Sequence, residues 1–562
     1  MIARFSRNWL FFGLFQLVLG LTGAGALLAH TVSPGAPDFL WAQQIGLGGI
    51  ALGSGIEVDQ EGNSYVVGMS QGNIDAGGST LTNGGGFDGF LAKYDRNGTL
   101  LWARQAGGSL DESIKSVAID AAGNIYVAGS SKSTNGTFAG TNLGNDGGQD
   151  FFLAKLKRDG DLVWLRHGAG PESESAVRVA VDPAGNCFLT GYFFGTNLVF
   201  GGTVLSNRAL LGNNGCSADV FLAKYSADGV FEWVQQFGTA CLVLEPCVTT
   251  DPQGNCYVGG SFTDTAPFGS TNLHAVAGYN AFVAKYGASG QIIWARELGG
   301  AVTVEDALGH YNSSTSVKVA PDGNIFVAGI FESFTATFDS FTLTNAAHNQ
   351  PFNYKDSFLA KLNPAGAVLW VNGSGGQWDD SGASIAVDAS GNCYLTVACE
   401  SPTVTIAELT LTNSSSGGSS DMFFCRYDPA GHLDWVRQTR GNSEEFGYVT
   451  ADAVGNVYTT GAFRSTNLQF GSAVLGAHGF YGAFVSKLDT SVRPSLASVR
   501  SGSSLLLSWN PLFSGFRLES SDVCCDPSAW VGYPPDNSTS ALGNTLEIPL
   551  TESPRFFRLA KP

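Results

Sequence analysis

The feature that most constrains this chain is a repeat. The pattern Gly-Asn-x-Tyr/Phe occurs seven times, at Gly62-Asn63, Gly123-Asn124, Gly185-Asn186, Gly254-Asn255, Gly323-Asn324, Gly391-Asn392 and Gly455-Asn456, at intervals of 61 to 69 residues. A second pattern, Phe-Leu/Val-Ala-Lys, keeps the same register at Phe90, Phe152, Phe221, Phe282 and Phe358, and persists in altered form at Phe423 and Phe484. A third is a tryptophan after a glycine turn: Trp102, Trp164, Trp233, Trp294, Trp370 and Trp435. The seventh tryptophan, Trp41, stands before the first Gly-Asn, and no counterpart follows Phe484. Three signals in one register define an array in which each unit buries its faces against its neighbours. The displaced Trp41 makes that array circularly permuted along the chain.

Each unit reads as four strands. In the second, Ser116 to Asp120 forms an inner strand, Ala121-Ala122-Gly123 a tight turn, Asn124 to Gly129 a second strand, Phe151 to Lys157 a third and Leu162 to Arg166 a fourth. Asp or Asn before Gly supplies the positive-φ positions that hairpin turns need. Both strand faces are apolar in Phe-Leu-Ala-Lys, as expected of a sheet lying between two others. The expected fold is therefore all-β, a seven-bladed β-propeller of four-stranded blades spanning residues 38–491. The Trp41 strand, Phe39 to Gly46, completes the last blade and so removes open sheet edges. An insertion between the second and third strands carries a weaker pattern, at Phe138…Leu143, Phe200…Leu205, Phe268…Leu273, Phe338…Leu343 and Phe470…Leu475, which predicts an extra hairpin capping each blade.

These repeats resemble the bacterial β-propeller repeat family SBBP, whose hallmark is Asp-x-x-Gly-Asn-x-Tyr-x-x-Gly, then Asp-x-Phe-x-Ala-Lys and a Trp strand. The departures are local: Ala320 replaces the Asp, Val397 the final Gly, and Gly482 the Asp before Phe484. The resemblance implies an exported, repeat-built surface protein and no common reaction or catalytic residues.

The flanks read differently. Arg4 and Arg7 precede an apolar run from Trp9 to Ala29, so residues 1–29 are either a cleaved signal peptide or a retained N-terminal anchor. Either places the remainder outside the cytoplasm, secreted, periplasmic or at the cell surface. Residues 494–562 break the period, with apolar runs at Leu505–Trp509, Phe516–Leu518, Leu546–Leu550 and Phe556–Leu559. They read as a small C-terminal β-sandwich-like module of the fibronectin or immunoglobulin kind.

Composition closes off other classes. Hydrophobic residues make up 44% of the 562, which excludes a disordered chain. A net charge of −18 without clustered Lys and Arg argues against a nucleic-acid partner.

Residues present in nearly every unit, such as Asp59 and Lys93, serve the blade. More informative are acids where one blade passes to the next: Asp111 and Glu112, Glu172 and Glu174, Glu305 and Asp306, Asp379 and Asp380 beside Trp378, and Glu444 and Glu445. In a propeller these connections gather on one face around the channel, with the insertions. Two readings stand: a hydrated acidic rim, or a face that binds Ca²⁺ or another cationic ligand. Among the cysteines, Cys187, Cys256 and Cys393 take apolar strand positions, and Cys425 the Ala position of the third strand, as small buried hydrophobes. Cys216, Cys241 and Cys247 fall in loops, and one pair of them is a disulfide candidate in an exported protein. The expected function is non-catalytic, a binding or structural propeller presenting its loop-rich face to a glycan, peptide or protein. The alternative is a polysaccharide-active hydrolase or lyase working from the channel mouth, with Trp378 as a sugar platform.

Overall fold

The structure is a computed structural model that describes residues 37–488, apart from loop segments at 47–48, 76–79, 169, 171, 208–217, 238–245, 264, 276–277, 301–310, 348–353, 415–417 and 478–480, and, beyond residue 495, the backbone of six strands. Residues 1–29, read as a signal segment, lie outside the described residues. Seven antiparallel four-stranded sheets are arranged as the blades of a propeller, and among the described residues there is no helix. The second blade runs Glu112–Ile119, Ile125–Ser131, Asp150–Leu156 and Leu162–His167 from hub to rim. In the seventh, Glu445–Ala451, Val457–Phe463 and Gly482–Leu488 are completed at the rim by Phe39–Ile45. Register pairs run from Phe39 with Leu488 to Ile45 with Ala483, so the permuted strand closes the ring. At the C-terminus, Leu496–Ser501, Ser504–Trp509 and Thr545–Pro549 pair as one three-stranded sheet, and Val531–Gly532, Arg517–Ser521 and Phe556–Ala560 as another.

Third strands such as Asp150–Leu156 are buried at every residue, which is why Phe-Leu-Ala-Lys shows no alternation. The final Gly of the repeat has a steric cause. A Cβ on Gly129 would meet the Ser113 carbonyl oxygen at 2.1 Å and the Phe152 ring at 2.7 Å. Blade six places Val397 there, and the residue paired across from it is Gly382, where blade two has Ile114. The small residue has changed strands, and the space is kept. Ala320 is compensated similarly, because Asp322 takes over the turn: its carboxylate accepts from the Asn324 amide N–H and side chain and stands 3.7 Å from Lys361.

The insertion hairpins form in all seven blades, but they cap the joint with the preceding blade as well as their own. Twisted sheets touch at the hub and splay toward the rim, leaving a wedge between neighbouring outer strands. Phe138 pairs with Ala106 of blade one and Ile406 with Ser374 of blade five, so the hairpins of blades two and six extend the sheet before them. Phe200 packs 5.6 Å from Phe151 of blade two and 5.0 Å from Phe221 of its own blade. The wedge is thus filled with aromatic core.

A second contact joins the blades on the opposite face. The Trp164 indole and the Lys155 ammonium both donate to the Ala227 carbonyl in the next blade's third-to-fourth turn, at 3.1 and 3.0 Å. Trp233 and Lys224 do the same to Ala288, and Trp370 and Lys361 to Pro429. The turn glycine lies flat on the indole, since a Cβ on Gly229 would strike the Trp164 ring at 2.7 Å. Blade seven has no such turn, because its outer strand comes from the N-terminus. There Arg437 of blade six instead meets the Asp38 carboxylate at 2.6 Å. Trp164→Ala removes a side chain only 8% exposed together with its indole hydrogen bond, and is expected to cost about 3–5 kcal/mol in denaturant unfolding.

Candidate functional site

The connections from outer to inner strand and the insertions share one face, as their contacts show: Asp111 pairs with Lys132 at 2.9 Å, joining a blade entry to the start of an insertion. The acid pairs divide on this face. Their first members, Asp111, Glu172, Asp379 and Glu444, are exposed or half-buried, whereas the second members, Glu112, Glu174, Asp380 and Glu445, are at most 1% exposed. In the three adjacent pairs, neighbours on a strand point to opposite sides, so the residue that opens the inner strand turns in as its predecessor turns out. Of the described acids expected there, the rim therefore carries half. Glu305 and Asp306 lie outside the described residues.

Asp111, Asp379 and Glu444 of the outer set are partnered. The hydrogen bond from Lys132 holds the Asp111 carboxyl below the usual range. Asp379 accepts the Lys355 amide at 2.9 Å, and Glu444 accepts the Tyr481 hydroxyl at 2.6 Å and faces Arg464 at 3.4 Å. Trp378 is half-buried, its amide donating to Ser401 Oγ, and its ring lies over Gly418. The inner set sits under the loops: Glu112 accepts from Ser131 Oγ and the Ser133 amide, Asp380 from Ser401 Oγ, and Glu445 from Ser465 Oγ and Thr439 Oγ1. Burial pushes Glu174 and Glu445 up to about 8 and Asp380 to about 7.

Residues missed from the sequence complete the rim. Glu332 and Glu400 follow the second strands of blades five and six. Burial raises both carboxyls first, and Asp379 adds to each, as does Glu444 to Glu400. Glu332, Asp379, Glu400 and Glu444 therefore form an electronegative sector over blades five to seven, with Lys355 and Arg464 among them. The signal that could have found them is variation within the repeat. The position after the second strand holds Gln71, Lys132, Phe194, Thr263, Glu332, Glu400 and Arg464 in turn, whereas the neighbouring strand positions repeat. Aromatic pairs are scattered unequally on the same face: Tyr279 with Tyr311 at 5.1 Å, Tyr192 with Phe194 at 5.5 Å, and Phe446 with Tyr481 at 6.3 Å. Among the described residues no three His, Cys, Asp or Glu come together as a metal site.

The central channel holds about 570 Å³ of open space lined by the inner strands. Hydroxyls of one inner strand accept from the next, Ser116 from the Val179 amide and Ser384 from the Val449 amide. Two contacts cross the bore. The Arg178 guanidinium lies 5.7 Å from the Tyr448 ring, and Lys318 of blade five pairs with Glu57 of blade one at 3.2 Å, with Thr450 donating to the same carboxylate.

Cys187, Cys256, Cys393 and Cys425 are buried in strands, and burial raises the Cys187 thiol to about 12. Of the disulfide candidates, Cys216 and Cys241 lie outside the described residues, while Cys247 is buried on the inner strand of blade four, 4.0 Å from the Ser314 carbonyl.

Residues 40–75 and 101–137 match the family model described as SBBP, a β-propeller repeat. Over 443 residues, 66% of this chain, the sequence is 24% identical to an uncharacterized WD repeat-containing protein of Acanthamoeba polyphaga mimivirus. The chain spans 32% of that relative's length. Similar solved structures include a protein of unknown function from Dyadobacter fermentans (TM-score 0.35, 10% identity, covering 66% of this chain and 93% of that one). Another is Sqt1 from Chaetomium thermophilum (TM-score 0.36, 12% identity, 84% and 96%).

Glu57→Ala strands Lys318 and Thr450 together, in a half-buried setting. It is expected to lower unfolding stability in urea by about 1 kcal/mol, with Lys318→Met on the same background restoring part of the loss.

Proposed function

We propose that this chain, a seven-bladed propeller carrying SBBP repeats, is a non-catalytic extracytoplasmic binding scaffold whose loop-rich mouth receives a protein partner. The propeller fold and the WD-repeat relative support a binding or scaffold role in general. One observation carries the finer reading. Residues that hold the ring recur from blade to blade, such as the Trp and Lys donating to the next turn, while residues on the mouth vary around the ring. A surface free of the repeat on a scaffold bound by it is how repeat proteins carry recognition. The sector Glu332, Asp379, Glu400 and Glu444, flanked by Trp378 and Tyr481, suits a lysine- or arginine-bearing segment laid over aromatic rings. The apolar run after Arg4 and Arg7 supports export.

A lysine-rich peptide is expected to bind with an affinity that falls as salt rises. The variant Glu332→Lys/Asp379→Lys should weaken it about tenfold or more in protein that still melts cooperatively. Equal binding by the variant would remove the sector from the site. Release of reducing ends from polysaccharide would overturn the non-catalytic reading, and recovery of tagged full chain solely from the cytosol would overturn export.

A further inference from the structure

The buried acids stand at fixed places in the joints between blades. Each joint brings the first residue of a third strand toward the first residue of the next blade's inner strand. A backbone hydrogen bond sets the approach: Glu112 N–H donates to Phe87 O, Glu174 N–H to Gln149 O and Asp380 N–H to Lys355 O, all at 2.6 Å. The two positions hold Asp88 and Glu112, Asp150 and Glu174, Asp356 and Asp380, and Asp421 and Glu445, none more than 3% exposed. In the joint from blade four to blade five they hold Asn280 and Asn312, and in the closing joint Gly482 and Ala51. Acid stands with acid, amide with amide, and small with small. Across these six joints the pair changes as a unit, and its amide form shows that the joint does not require charge; in the joint from blade three to blade four Asp219 holds the first position and the second lies outside the described residues.

Two ionised carboxylates cannot share such a site without a counter-charge. Both Glu174 oxygens and Asp150 Oδ1 are buried without a hydrogen-bond partner, the two carboxyls act on one another, and their other titratable neighbours are Asp146, Glu172 and His167. Around Asp356 and Asp380 stand Glu400 and the Cys399 thiol. Asp421 and Glu445 are surrounded by neutral donors, Gln438, Thr439 and Ser465, and Asp88 by Gln105 and the Gly84 amide. Among the described residues no lysine or arginine acts on Asp150, Glu174, Asp356, Asp380 or Glu445. The same oxygen, Oδ1 of Asp88, Asp150 and Asp356, is buried without a hydrogen-bond partner in three blades. A proton on one carboxyl of each pair turns repulsion into a hydrogen bond.

We propose that blades are joined through protons shared within these buried carboxyl pairs, so that the ring is a pH-sensitive assembly that loosens as the solution becomes alkaline. In the unfolded chain these acids titrate near 4. Folded, Glu174, Asp356 and Glu445 titrate near 8 and Asp380 near 7 because burial disfavours their charged forms. The folded ring therefore binds more protons between those limits, and its stability is full below about pH 4, falls as pH rises, and levels off above about pH 8.

Thermal melts of the full chain from pH 5 to pH 9 are expected to drop by about 5 °C or more. Asp150→Asn/Glu174→Gln and Asp356→Asn/Asp380→Asn, which copy the amide joint, should each flatten the slope and raise the melting temperature at pH 9. A flat wild-type profile, or a slope unchanged in the variants, would overturn the proposal. So would Ca²⁺ abolishing the pH dependence, since the pairs would then hold a cation. Should the variants not fold, infrared difference spectra of the wild type between pH 7 and pH 9 decide: loss of a protonated carboxyl stretch is expected, and its absence at pH 7 overturns the idea.

Discussion

In every blade but the seventh, one backbone carbonyl in the turn between the third and outer strands accepts from the lysine, the tryptophan or both of the blade before it. That contact makes seven separate sheets into one ring, because neighbouring sheets share no ladder hydrogen bonds at the hub. It also explains the composition of the repeat. The lysine must be buried to reach the carbonyl, and its neighbouring Asp and aromatic ring shelter the charge: Lys93, which donates to Arg158 O, lies 4.0 Å from Asp59 and 4.9 Å over Tyr65. The turn must end in glycine so that the chain can lie on the indole. With that face committed to joinery, the other is left to vary.

Around the rim the aromatic wedge does complementary work. Hub strands are held by hydroxyl-to-amide bonds and by side chains across the bore, the outer strands by Phe-bearing hairpins pushed between them. Hub, turn face and rim thus use different chemistry, so a change in one leaves the others intact. Closure repeats the theme with a substitute: where the chain break deletes the turn, the Arg437–Asp38 ion pair stands in for it.

Most of the ring was legible in the sequence because its constraints are local. The Gly-Asn turns, the Phe-Leu-Ala-Lys strands and the displaced Trp41 each report a backbone need within a few residues, and together they fix blade number and closure. Pairwise needs were not legible. Val397 reads as an exception until Gly382 is seen opposite, and Ala320 until Asp322 is. The site was half legible for the same reason: Asp379 and Asp380 are alike in sequence, yet strand alternation sends one to solvent and the other under a loop. Glu332 and Glu400 went unseen because recognising them requires knowing which non-repeating position faces the mouth.

Phe39 sits beside Leu488 in the closing blade, so the strand that begins the ring and the strand that ends it have their free ends together, on the turn face. The two ends of the ring thus stand at one corner, on the face away from the channel mouth. The molecule is a cup on a single stem. A tether at either end leaves the bowl pointing outward, and two attachments would pull on the same blade rather than prise the circle apart.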